Sequence, residues 1–253
     1  MFLRALLLFT IAALPLKAEE VVLGMSSDTI SITTSFDGSE LLIFGAVKRE
    51  EPIATDEPLE VIIAVQGPKE PLTLRRKEKK FGIWVNADAV EIDLAPSFYA
   101  ISTTGPFKDI LSDVEDLRND VSIPRAIRSV GAPMTVTDSQ SFTDALIRIR
   151  TKKNLYQLNE NSVNFDQQTL FRTSIDLPSD LTEGDYTTRI FLTRAGKVVS
   201  SFETELDVRK VGLEKFLFDL SRNQPLIYGL LSLTIAIIAG WGASAVFQLF
   251  RRQ

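Results

Sequence analysis

Hydrophobic and polar residues alternate with a period of two in several short stretches of the chain, and turn residues separate these stretches. This alternation predicts half-buried strands of antiparallel sheets. In the stretch 29–48, the pair Asp37-Gly38 predicts the turn of a hairpin between two alternating strands. Further strands are predicted at 59–65, 72–77, 81–85, 90–94 and 98–103.

A second hairpin is predicted near the end of this β-rich region, with its turn at Ala195-Gly196. Just before it, the sequence LTEGDY places Tyr186 at the start of a strand, as in the tyrosine corner of immunoglobulin-like sandwiches. An ordinary core tyrosine is the alternative for this position. We therefore predict an immunoglobulin-like antiparallel β-sandwich over residues 19–210, with two small β domains as the alternative.

The hydrophobic period changes to 3.6 between the two β regions, which predicts a helical insertion at about 107–158. One face of a first candidate helix carries Phe107, Leu111, Val114, Leu117 and Val121. A second helix is predicted to begin near Ser141, with Ser141 and Asp144 as a capping box. Its outer side is basic, with Arg148, Arg150, Lys152 and Lys153. The helices would pack as an α-hairpin, present charge to a partner, or show ordinary solvated faces.

The segment 226–250 holds 25 residues without a charge. As a helix it would be about 37 Å long, which is enough to cross a hydrocarbon core of about 30 Å. We predict a transmembrane helix at 225–250 and a tail at 251–253. Before the span, apolar residues at helical spacing predict an amphipathic juxtamembrane helix at 211–224 on the outer leaflet; these are Leu213, Phe216, Leu217 and Leu220.

The first residues have the pattern of a secretory signal, in which Arg4 precedes an apolar run and Ala18 offers a cleavage position. We predict a signal peptide at 1–18, so that the region 19–224 faces the periplasm and the C-terminus faces the cytoplasm. The chain has no cysteine and no Asn-x-Ser/Thr sequon, which favours a bacterial periplasm over a eukaryotic cell surface. The predicted location is a bacterial inner membrane, crossed once.

The composition excludes several kinds of chemistry. Without cysteine or histidine, the chain has no disulfide, thiol nucleophile, imidazole base or soft metal site. A net charge of −5, together with export, argues against nucleic acid as a partner. No catalytic motif is present, so we expect neither enzyme activity nor a cofactor. The least favoured alternative is a hydrolase using carboxylate pairs such as Glu115 with Asp116, or Glu203 with Glu205.

Two sets of residues are candidate contact sites. The first is a basic loop that precedes Phe81, Ile83 and Trp84, and its cations are Arg75, Arg76, Lys77, Lys79 and Lys80. This loop would contact anionic lipid or an acidic partner, or stay solvated and protect a strand edge; Trp84 would be a core residue or an exposed anchor. The second is a face of the span suited to close helix packing against a second copy or a membrane-protein partner, formed by Ala236, Gly240, Ser244 and Gln248.

The chain contains the stretches RRKEKKFGIWVNADAV and PSFYAIST, behind a predicted signal peptide and ahead of a lone predicted C-terminal span. In these features it resembles a family of single-pass transmembrane proteins of alphaproteobacteria that has no established function. The resemblance implies an inner-membrane protein with a periplasmic domain and offers no catalytic or ligand residues. We expect a membrane-anchored periplasmic interaction module, an accessory subunit of a membrane complex or transporter. The alternative is a periplasmic binding domain for a small solute or an envelope polymer.

Overall fold

The computed structural model describes residues 20–27, 29–32, 37–49, 57–128, 138–211 and 213–251. The predicted signal peptide and the last two residues of the predicted tail lie outside the described residues. The chain forms two compact units: one comprises Met1–Ile30 and Asp37–Val208, and the other comprises Ser31–Phe36 and Arg209–Gln253. The first contains most of the β structure, and the second contains the C-terminal helices.

The described structure is mainly β. Its strands, in chain order, are β1 (Glu20–Met25), β2 (Thr29–Ile32), β3 (Ser39–Lys48), β4 (Leu59–Gln66), β5 (Lys69–Lys80), β6 (Ile83–Pro96), β7 (Tyr99–Thr103), β8 (Tyr156–Asn159), β9 (Asn164–Asp166), β10 (Leu170–Leu177), β11 (Gly184–Arg194) and β12 (Lys197–Lys210). They form a four-stranded sheet in the order β1-β3-β10-β9, a six-stranded sheet in the order β2-β12-β11-β4-β7-β8, and a two-stranded hairpin of β5 and β6. Strands β7 and β8 are parallel.

The core follows from the residue pattern of the strands. Strand β4 is a nearly continuous apolar run, and every residue from 61 to 65 is buried, as is every residue of β7. Such runs are typical of strands covered on both faces. Strands β3 and β10 instead alternate, burying residues such as Ile43 and Ile175 while their neighbours face outward.

The described helices are α1 (Phe107–Ile110), α2 (Asp113–Asn119), α3 (Ile123–Ala126), α4 (Ser139–Lys152), α5 (Leu213–Asn223) and α6 (Pro225–Arg251). The prediction of one amphipathic helix through residues 107–121 is wrong. The chain leaves the helical conformation at Leu111, and Ser112 starts α2 by accepting a hydrogen bond from the backbone N–H of Glu115 at 3.4 Å. Because of this break, Val114 and Leu117 are exposed instead of buried.

Helix α4 confirms the second predicted helix but corrects its start. The cap is Asp138, whose carboxylate accepts a hydrogen bond from the backbone N–H of Ser141 at 3.4 Å, so Ser141 lies inside the first turn. The helix buries Phe142 and Leu146. The predicted end of the insertion is also too late, because Tyr156 already belongs to β8 and pairs with β7.

The predicted hairpin at Asp37-Gly38 is wrong, and the one at Ala195-Gly196 is confirmed. Strand β2 joins the six-stranded sheet beside β12, whereas β3 lies between β1 and β10 in the other sheet. Strands β11 and β12 pair directly, with Arg194 opposite Lys197. Ala195 and Gly196 between them have φ values of 48° and 75°, the left-handed conformation of a type I′ turn.

The tyrosine corner is also present. The buried Tyr186 hydroxyl donates a hydrogen bond to the backbone carbonyl of Thr182 at 2.9 Å. This contact fixes the chain at the start of β11, where Gly184 has a φ of 154° and lies against the Pro68 ring. The immunoglobulin-like sandwich itself stays a prediction, since the corner is one local feature of that fold.

Candidate functional site

The β5–β6 hairpin carries the residues of the predicted basic loop. These residues lie in strand β5, not in a loop, because pairing with β6 continues to Lys80 opposite Ile83. The turn consists of Phe81 and Gly82, with φ values of 51° and 85°. We call residues 81–84 the hairpin tip. Phe81 is fully exposed, and Ile83 and Trp84 are 65 % and 68 % exposed, so Trp84 is not a core residue.

The two faces of the hairpin differ in how their charges are paired. Side chains alternate along a strand, so Arg75, Lys77 and Lys79 share one face, on which Lys79 lies opposite Trp84. Among the described residues, these three cations form no ion pair. On the other face, Lys80 lies 3.6 Å from Glu78.

On that second face, Arg76 joins the two strands of the hairpin and contacts α4. Its Nη2 atom lies 2.5 Å from Oδ2 of Asp88, and this hydrogen bond raises the pKa of Arg76. The guanidinium also lies 5.2 Å from the centre of the Phe142 ring, on α4. Because Val90 and Ile92 of β6 are buried as well, the stem of the hairpin is held in place while the tip carries no described packing.

Among the described residues, only part of the predicted basic surface of α4 is exposed and unpaired. Arg150 turns inward, donates to the carbonyl oxygen of Pro96, and lies 3.1 Å from the Tyr156 hydroxyl. The Tyr156 hydroxyl donates to the same carbonyl at 2.8 Å, and burial raises the pKa of Tyr156. Lys153 lies 3.4 Å from Asp180, whereas Arg148 and Lys152 are exposed. Helix α4 therefore anchors the end of β6 more than it presents charge.

A buried polar network closes α2 against the six-stranded sheet. The Tyr99 hydroxyl donates to the carbonyl oxygen of Val121 at 2.7 Å, and Arg189 donates to that hydroxyl at 3.0 Å and to the carbonyl of Asn119 at 2.8 Å. Burial raises the pKa of Tyr99 to about 12. A cation at the C-terminal end of a helix is stabilising, so the structural role of this network is enough to explain its buried polar groups.

The exposed face of the four-stranded sheet carries a set of large apolar side chains that we call the apolar patch, formed by Val22, Leu42, Phe44 and Leu170. Val22 and Leu170 lie on either side of Ala46, and Phe44 lies opposite Gly24. A methyl group at Gly24 would come within 2.6 Å of the Phe44 ring, so the glycine lets the ring lie flat on the sheet. A groove of about 460 Å³ runs over this face, with Asp166 and Arg172 among its lining residues.

The apolar patch is not among the predicted contact sites, although the sequence of β3 carries a signal for it. Strand β3 reads SELLIFGAVK, in which Leu42, Phe44 and Ala46 occupy positions that alternate with the buried residues. A strand with one face in water usually carries polar residues at such positions. Apolar residues on both faces of β3 therefore indicated that its second face is also used.

The second unit contains the predicted membrane segment. Helix α6 is the one helix among the described residues that is long and apolar enough to cross a membrane. Ala236, Gly240 and Ser244 are exposed on it, and a methyl group at Gly240 would meet no atom within 4 Å. Gln248 belongs to the same helix. A helix-packing face at these positions stays a prediction.

The family comparison agrees with the apolar helix. Residues 20–249 match the family described as "Putative transmembrane protein (Alph_Pro_TM)". The chain belongs to this family. No curated protein matches the chain.

In this Alph_Pro_TM family member, the carboxylates considered for hydrolysis are either exposed or bonded to neighbouring groups of the fold. Glu203 and Glu205 are exposed on β12. Glu115 lies 2.7 Å from Arg118, and Asp116 accepts a hydrogen bond from the backbone N–H of Ser122 at 2.7 Å. Within the described ranges, no group of three or more acidic side chains is placed to hold a metal ion.

Proposed function

We propose that this Alph_Pro_TM family member is a membrane-anchored periplasmic interaction module and an accessory subunit of a membrane protein complex or transporter. In this proposal, the immunoglobulin-like β unit docks a protein partner and α6 fixes it to the inner membrane. The observation that carries the proposal is the apolar patch on the four-stranded sheet. No catalytic role is assigned to the chain.

The patch has the composition of a protein interface. Soluble surfaces rarely keep several large apolar side chains adjacent unless a partner covers them, and interfaces combine such a centre with a polar rim. Here Val22, Leu170 and Phe44 form the centre, while Asp166 and Arg172 border it. Phe44 is preorganised by its contact with Gly24, which lowers the entropy lost when a partner binds.

The membrane anchor supports the same proposal. A domain tied to a bilayer meets other membrane-bound proteins at a high effective concentration, so a modest patch is enough for stable association. Membership of a transmembrane protein family and the one candidate span found among the described residues are consistent with this arrangement. The periplasmic side follows from the predicted signal peptide.

The test is purification of the full chain from solubilised membranes, followed by identification of co-purifying proteins. We expect a reproducible membrane-protein partner with the wild type, and loss of that partner with Leu170→Asp. Both the native and the introduced side chain are solvent-accessible at this position, so the fold should persist. Val114→Asp is the matched control, because Val114 is exposed on α2, away from the patch. Retention of the partner by Leu170→Asp would contradict the proposal.

The groove over the patch favours a second candidate function, binding of a small solute or of an envelope polymer. Its volume of about 460 Å³ lies within the usual range for ligand sites, and its lining is mostly apolar with two charged residues. Under this alternative, no protein co-purifies with the wild type. An apolar fluorescent probe would then bind the purified wild type, with much weaker binding to Leu170→Asp.

A further inference from the structure

We infer that the hairpin tip is a second membrane contact, which inserts Phe81, Ile83 and Trp84 into the interface of an anionic lipid bilayer. This inference goes beyond the proposed docking of a protein and depends on different residues. It rests on the exposure of the tip, the backbone conformation of its turn and the distribution of charge along the hairpin.

The tip exposes three large apolar side chains within four residues. Phe81 is fully exposed, and the two other side chains are exposed over about two thirds of their surface. Trp and Tyr are enriched where a membrane meets water, because the indole ring has both an apolar body and a polar N–H. A tip of this composition matches a lipid interface.

The conformation of Phe81 is a separate argument. Its φ of 51° lies in the left-handed region, which a type I′ turn normally fills with asparagine, aspartate or glycine. A bulky residue there is strained, and Phe81 gains no packing inside the first unit to offset that strain. Backbone strain of this kind accumulates at functional sites, and contact with a partner outside the protein explains an aromatic residue at this position.

The cations lie at the correct height for lipid headgroups. A strand rises about 3.4 Å per residue, which places Lys79 about 7 Å and Lys77 about 14 Å from Phe81 along the hairpin. An interfacial apolar segment enters a bilayer by about 5–10 Å. When Phe81 lies at that depth, Lys79 and Lys77 are level with the headgroups, where their unpaired charges favour anionic lipid.

The hairpin also has a built-in limit to its insertion. Two paired strands leave one row of backbone N–H and C=O groups unpaired on each outer edge, and such groups are costly in hydrocarbon. The tip therefore stays at the interface instead of spanning. The Arg76–Asp88 pair joins β5 to β6, and the contact of Arg76 with Phe142 holds the stem to α4.

Lipid is favoured over an acidic protein by the order of these features along the hairpin. The apolar tip, then the cations, then the anchored stem repeat the order of hydrocarbon, headgroups and water in a bilayer. A bilayer is also present wherever α6 is inserted, because the span and the hairpin belong to one chain.

The test uses the full chain in protein-free vesicles. The chain has two tryptophans, so Trp241→Phe leaves Trp84 as the sole tryptophan, whose emission can be excited selectively over that of tyrosine. We expect brominated phosphatidylcholine to quench Trp84 emission when phosphatidylglycerol is present, and to quench it much less without phosphatidylglycerol. Lys77→Gln with Lys79→Gln should weaken insertion by about fivefold per cation.

Two controls make the test specific. Lys108→Gln with Lys152→Gln removes the same charge from exposed positions outside the hairpin and should leave the quenching unchanged. Moving the fluorophore, with Trp84→Phe, Trp241→Phe and Val114→Trp, should give unquenched emission. If Trp84 is no better quenched than that control, the inference is overturned. Protection of Trp84 in native membranes without quenching in these vesicles also overturns it, and favours a protein partner instead.

Discussion

At the residue scale, the hairpin turn shows how one side chain can oppose the local preference of the backbone. The sequence KKFGIW offers glycine at only one of the two turn positions, so Phe81 must adopt a positive φ. The corresponding turn between β11 and β12 places the small residue Ala195 at the same position. The second turn carries no large side chain and lies close to Ser112.

Phe81→Asn should therefore raise stability and reduce membrane contact. Asparagine tolerates the left-handed conformation, and we expect a gain of about 0.5–1 kcal/mol in the free energy of unfolding. Thermal unfolding of the full chain in detergent measures this gain, and quenching of Trp84 by brominated lipid measures the loss of contact. Ala195→Asn is the control for a stabilised turn without loss of contact. A variant that is stabilised and still fully quenched would show that Phe81 does not contribute to insertion.

At the element scale, local patterns predicted the strands better than their partners. The turn at Ala195-Gly196 joins two long strands that pair with each other over their whole length. The turn at Asp37-Gly38 carries an equally good local signal, yet the strands on its two sides belong to different sheets. A turn dipeptide indicates where the chain reverses. The partner of each strand depends instead on the sheet in which its apolar side chains become buried.

The hairpin of β5 and β6 is a second case in which the local sequence pattern does not reveal strand pairing. The sequence predicts the five cations of residues 75–80 as a basic loop, although the predicted strand 72–77 already contains the first three of them. Pairing with β6 makes the whole run part of a strand. Asp88 lies opposite Arg76, and the apolar residues Val85 and Trp84 lie opposite Glu78 and Lys79. The sequence predicts these residues as a candidate contact site, and the fold determines which of their charges are paired.

The span gives a prediction at this same scale. Gly240→Leu should abolish self-association, or association with a membrane partner, if the small residues on α6 form a packing face. A leucine side chain there would hold a neighbouring helix away, and interhelical contacts in lipid depend on close approach. A membrane reporter of helix association measures the effect, with Ile238→Leu as the control. Unchanged association of Gly240→Leu would leave α6 as an anchor without a packing role.

At the scale of the whole molecule, the β unit depends on buried tyrosines in place of disulfides. Tyr99, Tyr156 and Tyr186 are all buried, and each hydroxyl donates to a backbone carbonyl oxygen. Burial raises the pKa of Tyr186 to about 12, as it does for Tyr99. The hydroxyls of Tyr99 and Tyr156 connect segments that lie far apart in the sequence, ending at Val121 and Pro96, whereas that of Tyr186 fixes the local corner at Thr182.

Stability should therefore fall at alkaline pH. Below pH 10 both the folded and the unfolded chain keep these hydroxyls protonated, so they add no pH dependence. Between about pH 10 and 12 the unfolded chain loses protons that Tyr99 and Tyr186 retain in the folded chain, so the free energy of unfolding drops by at most about 1.4 kcal/mol per pH unit for each of these two tyrosines. Chemical unfolding of the full chain in detergent across this range measures the slope. Tyr99→Phe should reduce it, and an unchanged slope would contradict the assignment.

The position of β12 in the six-stranded sheet determines when the protein can fold. This strand is the last one made, yet it lies between β2, near the start of the chain, and β11. A growing polypeptide therefore cannot complete the sheet until nearly all of the β unit has been synthesised. Contacts between such distant segments form slowly. A chain that stops before Lys197 lacks β12, so the edges of β2 and β11 that pair with it have no partner strand. Such truncated products should aggregate or be degraded. The synthesis of β12 therefore sets the earliest time at which the native fold can form.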